Sequence, residues 1–85
     1  MATQPYILGD RFEDVVPSRP GLLTVTELAQ ALSMSEPAHY NFVSDGTIPY
    51  LKIGSSVRFR PAAIREWLRD REYLPRELQQ SSRKN

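Results

Sequence analysis

Apolar positions recur first at helical spacing, then at strand spacing, then at helical spacing again. Val25, Leu28, Ala29 and Leu32 fall on one side of a helix. Thr24 and Glu27 precede that stripe at capping-box spacing: the threonine oxygen can accept from an orphan helix N–H, and the glutamate can reach back. Ser33-Met34-Ser35 leaves room only for a tight turn. Ser35 then suits the N-cap of a second helix, and Pro37 suits its first turn, where the missing N–H costs little. His39, Phe42 and Val43 are spaced to point inward; Glu36, Tyr40, Asn41 and Ser44 point outward. Asp45-Gly46 ends the helix, with glycine free to take the left-handed cap. Two short helices across a three-residue turn form a helix-turn-helix, whose second helix can enter a DNA major groove.

From Pro49 to Arg60 the period changes to two, around small residues at Gly54-Ser55-Ser56. A three-residue loop would put Ile53 opposite Val57 and Leu51 opposite Phe59, giving one clean apolar face. That register sets Lys52 against Arg58 and Tyr50 against Arg60. Like charges facing across a strand pair are destabilising, so the pair implies an anion resting on it. Pro61 then opens a third helix, with Ile64, Trp67 and Leu68 buried, Trp67 as a core anchor, Arg65, Glu66, Arg69, Asp70 and Glu72 outside, and Leu74-Pro75 as the stop. The expected fold is α+β: a winged helix-turn-helix with three short helices and a two-stranded wing hairpin.

The flanks read differently. Residues 1–21, with three prolines and two glycines, form an N-terminal arm whose Tyr6-Ile7-Leu8 and Phe12-Glu13-Asp14-Val15-Val16 dock on the domain's own flank or on a neighbouring subunit. Residues 22–74 form the domain, and 75–85 a flexible basic tail with Arg83 and Lys84. The net charge of +1 conceals a gradient. Residues 22–46 carry Glu27, Glu36 and Asp45 and no Lys or Arg, whereas residues 47–72 carry six cations against three acids. A positive field that starts at the hairpin suggests a polyanion on one side of the molecule.

Composition narrows the chemistry. With no cysteine and one histidine, the 85 residues offer no disulfide, thiol nucleophile or zinc site, and no cofactor is implied. No paired acid–base constellation is present, so an enzyme is not expected. No apolar run of membrane length or signal peptide appears, which suits a cytoplasmic protein with no membrane contact.

The motifs "LTVTELAQALSMS", Tyr40, "DGTIP" at 45–49, "LKIGSSVRF" at 51–59 and "PAAIREWL" at 61–68 occur together and in order. On these, Leu23 to Leu68 resembles the small MerR-like domains of the excisionase family, recombination directionality factors of phages and plasmids. The resemblance implies a non-enzymatic protein that binds repeated sites beside a phage attachment site and bends the DNA there. Its partners would be double-stranded DNA, neighbouring copies of itself and a phage integrase of the tyrosine recombinase type, which it turns toward excision. Where the family usually has basic residues at the start of the second helix, this chain has Glu36 and Pro37. Asn41 replaces a usual arginine, Ser33 a usual turn glycine, and Ser55-Ser56 the usual arginines of the wing tip.

Candidate DNA contacts follow. Lys52, Arg58 and Arg60 are expected at phosphates or in the minor groove, where a narrow groove favours arginine. Ser55 and Ser56 form the wing tip. Tyr40 and Asn41 could reach base edges, asparagine pairing with adenine. Thr26 lies near helix N–H groups that could meet a phosphate, and Ser44 and Thr47 offer short hydroxyls. His39 is expected to be structural, and Arg65, Arg69 and Arg71 to sit largely in solvated ion pairs. Two other functions fit the same residues: a small transcriptional repressor, and a protein-interaction module with weak DNA binding.

Overall fold

The computed structural model describes residues 11–73 and 75. Tyr6-Ile7-Leu8, Leu74 and the tail cations Arg83 and Lys84 lie outside the described residues. In chain order the elements are a 3-10 turn (Arg11–Asp14), α1 (Val25–Leu32), α2 (Glu36–Asp45), β1 (Leu51–Ile53), β2 (Ser56–Arg58) and α3 (Pro61–Arg69). They make a winged helix-turn-helix of three helices and one antiparallel hairpin.

Capping sets the helix ends. Thr24 Oγ1 accepts from the Glu27 N–H at 3.1 Å, and the Glu27 carboxylate accepts from the Thr24 N–H at 2.9 Å. Ser33 closes α1 in the left-handed region at φ +57°, with Met34 N–H reaching Ala29 O at 3.0 Å. The same six-to-one bond ends α2, where Gly46 has φ +72° and Thr47 N–H reaches Phe42 O. Ser35 caps the start of α2 through the Ala38 N–H at 3.2 Å.

One core joins all of this: Val16, Leu23, Val25, Leu28, Ile48, Phe59 and Ile64, with Leu32, Phe42, Val43, Val57, Trp67 and Leu68 packed against it. Val16 comes from upstream of residue 22 and is only 1% exposed. Arg65 donates to its carbonyl at 2.9 Å, fastening the N-terminal segment to α3. His39 is completely buried; its Nδ1 lies 3.0 Å from Ser35 O, while Nε2 has no partner.

The hairpin register differs from the sequence expectation. Leu51 pairs with Arg58, Lys52 with Val57 and Ile53 with Ser56. The loop is two residues, Gly54-Ser55, with φ +63° at the glycine and Ser55 outside the left-handed region. That is the type II′ pattern, whose twist matches the strands. Lys52 therefore does not face Arg58, and Leu51 and Ile53 do not share an apolar face with Val57 and Phe59.

The three-residue loop follows only if a core lies behind both strands. It lies behind β2 alone. Val57 and Phe59 alternate inward, and Phe59 exchanges two backbone hydrogen bonds with Leu23, at 2.8 and 2.9 Å. β1 has no comparable support, and Leu51 and Ile53 are exposed. With nothing behind β1, the turn residues decide the register rather than the sorting of faces.

A second difference is the end of α3, which stops at Arg69 instead of running toward Leu74. Arg71 accounts for it. Its guanidinium stacks 4.3 Å over the Trp67 ring and donates to Trp67 O at 3.2 Å and Thr47 O at 3.4 Å. A side chain thus meets an orphan helix carbonyl, and the chain leaves through short-range turns. Trp67 also donates from Nε1 to Thr47 O at 2.6 Å, tying α3 to the segment that leaves α2. Arg65 and Arg71 are therefore structural braces rather than solvated partners of acids. Arg69 does lie 3.8 Å from Glu66, as expected of an exposed pair.

Candidate nucleic-acid interface

The capping box presents the first turn of α1, and the anchored strand β2 runs beside it. Between them and α2 lies a groove of about 300 Å³, lined by Thr24, Val25, Thr26, Tyr40, Ser55, Ser56, Val57 and Arg58. Five of the nine candidates from the sequence meet here: Thr26, Tyr40, Ser55, Ser56 and Arg58. Five hydroxyls and one guanidinium line the groove, and no carboxylate does. Tyr40 is half exposed on α2, with its hydroxyl available to a ligand. Arg58 uses Nη1 for the Val57 carbonyl at 2.8 Å, which holds the side chain against the strand and leaves its remaining N–H groups to act outward.

The acid of the first turn of α1 is turned away. Glu27 bends back to the Thr24 N–H, and Arg19 approaches its carboxylate at 3.3 Å. The Thr24 backbone hydrogen bond first, and Arg19 second, hold this carboxyl below its usual range. The cap is thus also an electrostatic device: it anchors α1 while its charge is offset by a neighbouring cation.

A helix-turn-helix domain family model matches residues 22–72. The chain belongs to the helix-turn-helix domain family. No curated protein and no solved structure matches it. Membership makes this a DNA-binding domain, and in such domains the second helix of the pair is the reading element. Here that helix is α2, which runs inside the matched span together with the wing and α3.

The other four candidates fall elsewhere. Asn41 and Ser44 are exposed on α2 but do not line the groove. Lys52 is exposed on β1, opposite Val57 and on the other face of the hairpin from Arg58. Arg60 stands just before α3 and borders separate grooves, one with Pro49, Tyr50, Leu51 and Ala63, another with Arg19 and Arg65. Thr47 donates its hydroxyl to Phe42 O at 3.3 Å, closing α2 rather than facing a ligand.

Thr24, Val25 and Val57 complete the groove wall, and the sequence reading gave them structural roles only. The signal for the true wing geometry was Gly54 itself. A glycine at the first of two turn positions is the type II′ signature, and it predicts Leu51 and Ile53 on the face of Arg58 and Ser56. Among the described residues no group of three metal-ligating side chains occurs, and no helix is long and apolar enough to cross a membrane.

Proposed function

We propose that the protein is a sequence-specific DNA-binding and DNA-bending excisionase. It binds repeated sites at a phage attachment region and directs a tyrosine-recombinase integrase toward excision. The observation that carries DNA recognition is the carboxylate-free groove in which Thr26, Tyr40, Ser55, Ser56 and Arg58 converge between two helices and the wing. The excisionase role rests on the ordered motifs from Leu23 to Leu68.

In this reading Thr26, Ser55, Ser56 and Arg58 hold backbone phosphate, while Tyr40, Asn41 and Ser44 on α2 face base edges. Phosphate contacts fix register, and base edges specify sequence. With about three to five phosphates neutralised per subunit by the wing and tail cations, the log–log salt slope is about −3 to −5. That grip is modest, so specific occupancy comes from several subunits on adjacent repeats and from integrase.

A gel shift over tandem repeats tests this. A ladder of complexes is expected, with footprints on attachment-site DNA that fade for Arg58→Ala. A single symmetric dimer complex would overturn the assembly, and an excision assay with the integrase separates this reading from simple repression.

A further inference from the structure

The hairpin register gives β1 a purpose the core does not. Directly paired residues share a face, as do residues two apart on one strand. Leu51, Ile53, Ser56 and Arg58 therefore lie together on the outer face, while Val57 and Lys52 lie on the other. Ile53 is 57% exposed, the most exposed large aliphatic side chain among the described residues. It sits directly before the Gly54-Ser55 turn, at the tip of the wing. Gly54 has nothing near it, so the tip is open on that side.

We propose that Ile53 is an apolar wedge that enters the DNA minor groove beside Arg58 and partly unstacks a base step. The inference rests on the DNA-binding reading of the groove and adds the device by which the wing deforms DNA. Proteins that kink the duplex from the minor groove combine a cation with an inserted apolar side chain. The outer face of this hairpin has that composition. Charge complementarity selects the occupant: the wing from Pro49 to Arg60 carries Lys52, Arg58 and Arg60 and no acid.

Position selects it as well. Ser56, the residue paired with Ile53, and Arg58 line the groove with Thr26 and Tyr40, so Ile53 stands one strand away from that groove. The groove next to the one entered by α2 is the minor groove, and a two-stranded wing tip is narrow enough to approach it. Stability gives no reason for an exposed isoleucine here, because no core lies behind β1.

The test uses the full chain on closed circular plasmid relaxed by topoisomerase I, with occupancy matched by gel shift. Unstacking changes local twist, so bound wild-type protein shifts the topoisomer distribution, Ile53→Ala loses most of that shift, and Ile53→Phe keeps it. All three chains melt at closely similar temperatures, because the residue is exposed. The wedge is overturned if Ile53→Ala and Ile53→Ser give the wild-type shift at matched occupancy, or if bound wild-type protein gives none. Failure of wild-type protein to bind the plasmid at all would instead sink the DNA-binding reading beneath it.

Discussion

The helix-turn-helix pair and the wing differ sharply in the charge they offer to DNA. α1 and α2, with their turns, carry Glu27, Glu36 and Asp45 and no cation. The stretch from the wing through α3 carries the cations, yet two of them, Arg65 and Arg71, are spent on the carbonyls of Val16, Thr47 and Trp67. The groove itself receives one cation, Arg58. Grip and reading are thus separable in this domain. In the proposed reading α2 meets DNA through Tyr40, Asn41 and Ser44, with no cation of its own, and must be held there by something else. The element proposed to hold it is β2, whose continuation at Phe59 is bonded to Leu23 at the threshold of α1.

The sharpest way to break the comparison is to remove the one cation of the groove. Arg58→Ala is expected to weaken DNA binding by about tenfold or more at moderate salt and to flatten the salt slope by about 0.9. Lys52→Ala should do much less, because Lys52 lies on the other face of the hairpin. Filter binding across a salt series reads both. Equal losses for the two variants would mean that the wing binds through diffuse charge, and the groove would lose its special status.

The next test reverses the charge ledger of the reading helix. Glu36 opens α2 and faces solvent. Glu36→Lys should tighten binding to arbitrary DNA several-fold and steepen the salt slope by up to about 0.9. A cation at a helix N-terminus opposes the macrodipole, so stability should fall by about 0.5 kcal/mol. If affinity does not respond at all, α2 does not approach the phosphates, and the wing acts without it.

Much of this architecture is legible in the sequence, and the legible parts are local. Thr24 with Glu27, Ser35 with Pro37, Gly46 and Pro61 each mark a helix end through chemistry contained within a few residues. The groove was legible in part: Thr26 and Tyr40 follow from their helices and Ser55-Ser56 from the wing tip, whereas the case for Arg58 rested on a facing Lys52 that the register does not provide. What escaped depends on distant parts of the chain. The register was misread because parity sorts faces only where a core backs both strands, and Leu51 and Ile53 have none. Arg65 and Arg71 looked like members of surface ion pairs because their partners, Val16 O and Thr47 O, stand 49 and 24 residues away. No spacing rule reaches that far. Pro75 marked a limit for α3, but Arg71 ended it earlier by capping a carbonyl from the side.

The smallest expected effect concerns the joint between the two helices. Ser33 takes φ +57° to close α1, a conformation that favours glycine over any residue with a side chain. Ser33→Gly should remove that strain and raise stability by about 0.5–1 kcal/mol, after allowing for the freer unfolded chain. In a domain of this size that is a rise in Tm of about 2–8 °C. DNA affinity should not change, because the Met34-to-Ala29 bond and the Ser35 cap already fix the angle at which α2 leaves the turn. Thermal melts and a parallel binding titration decide it. A more stable variant that binds DNA worse would show that strain at Ser33 sets the pose of α2. The reading helix would then depend on its turn as much as on the wing.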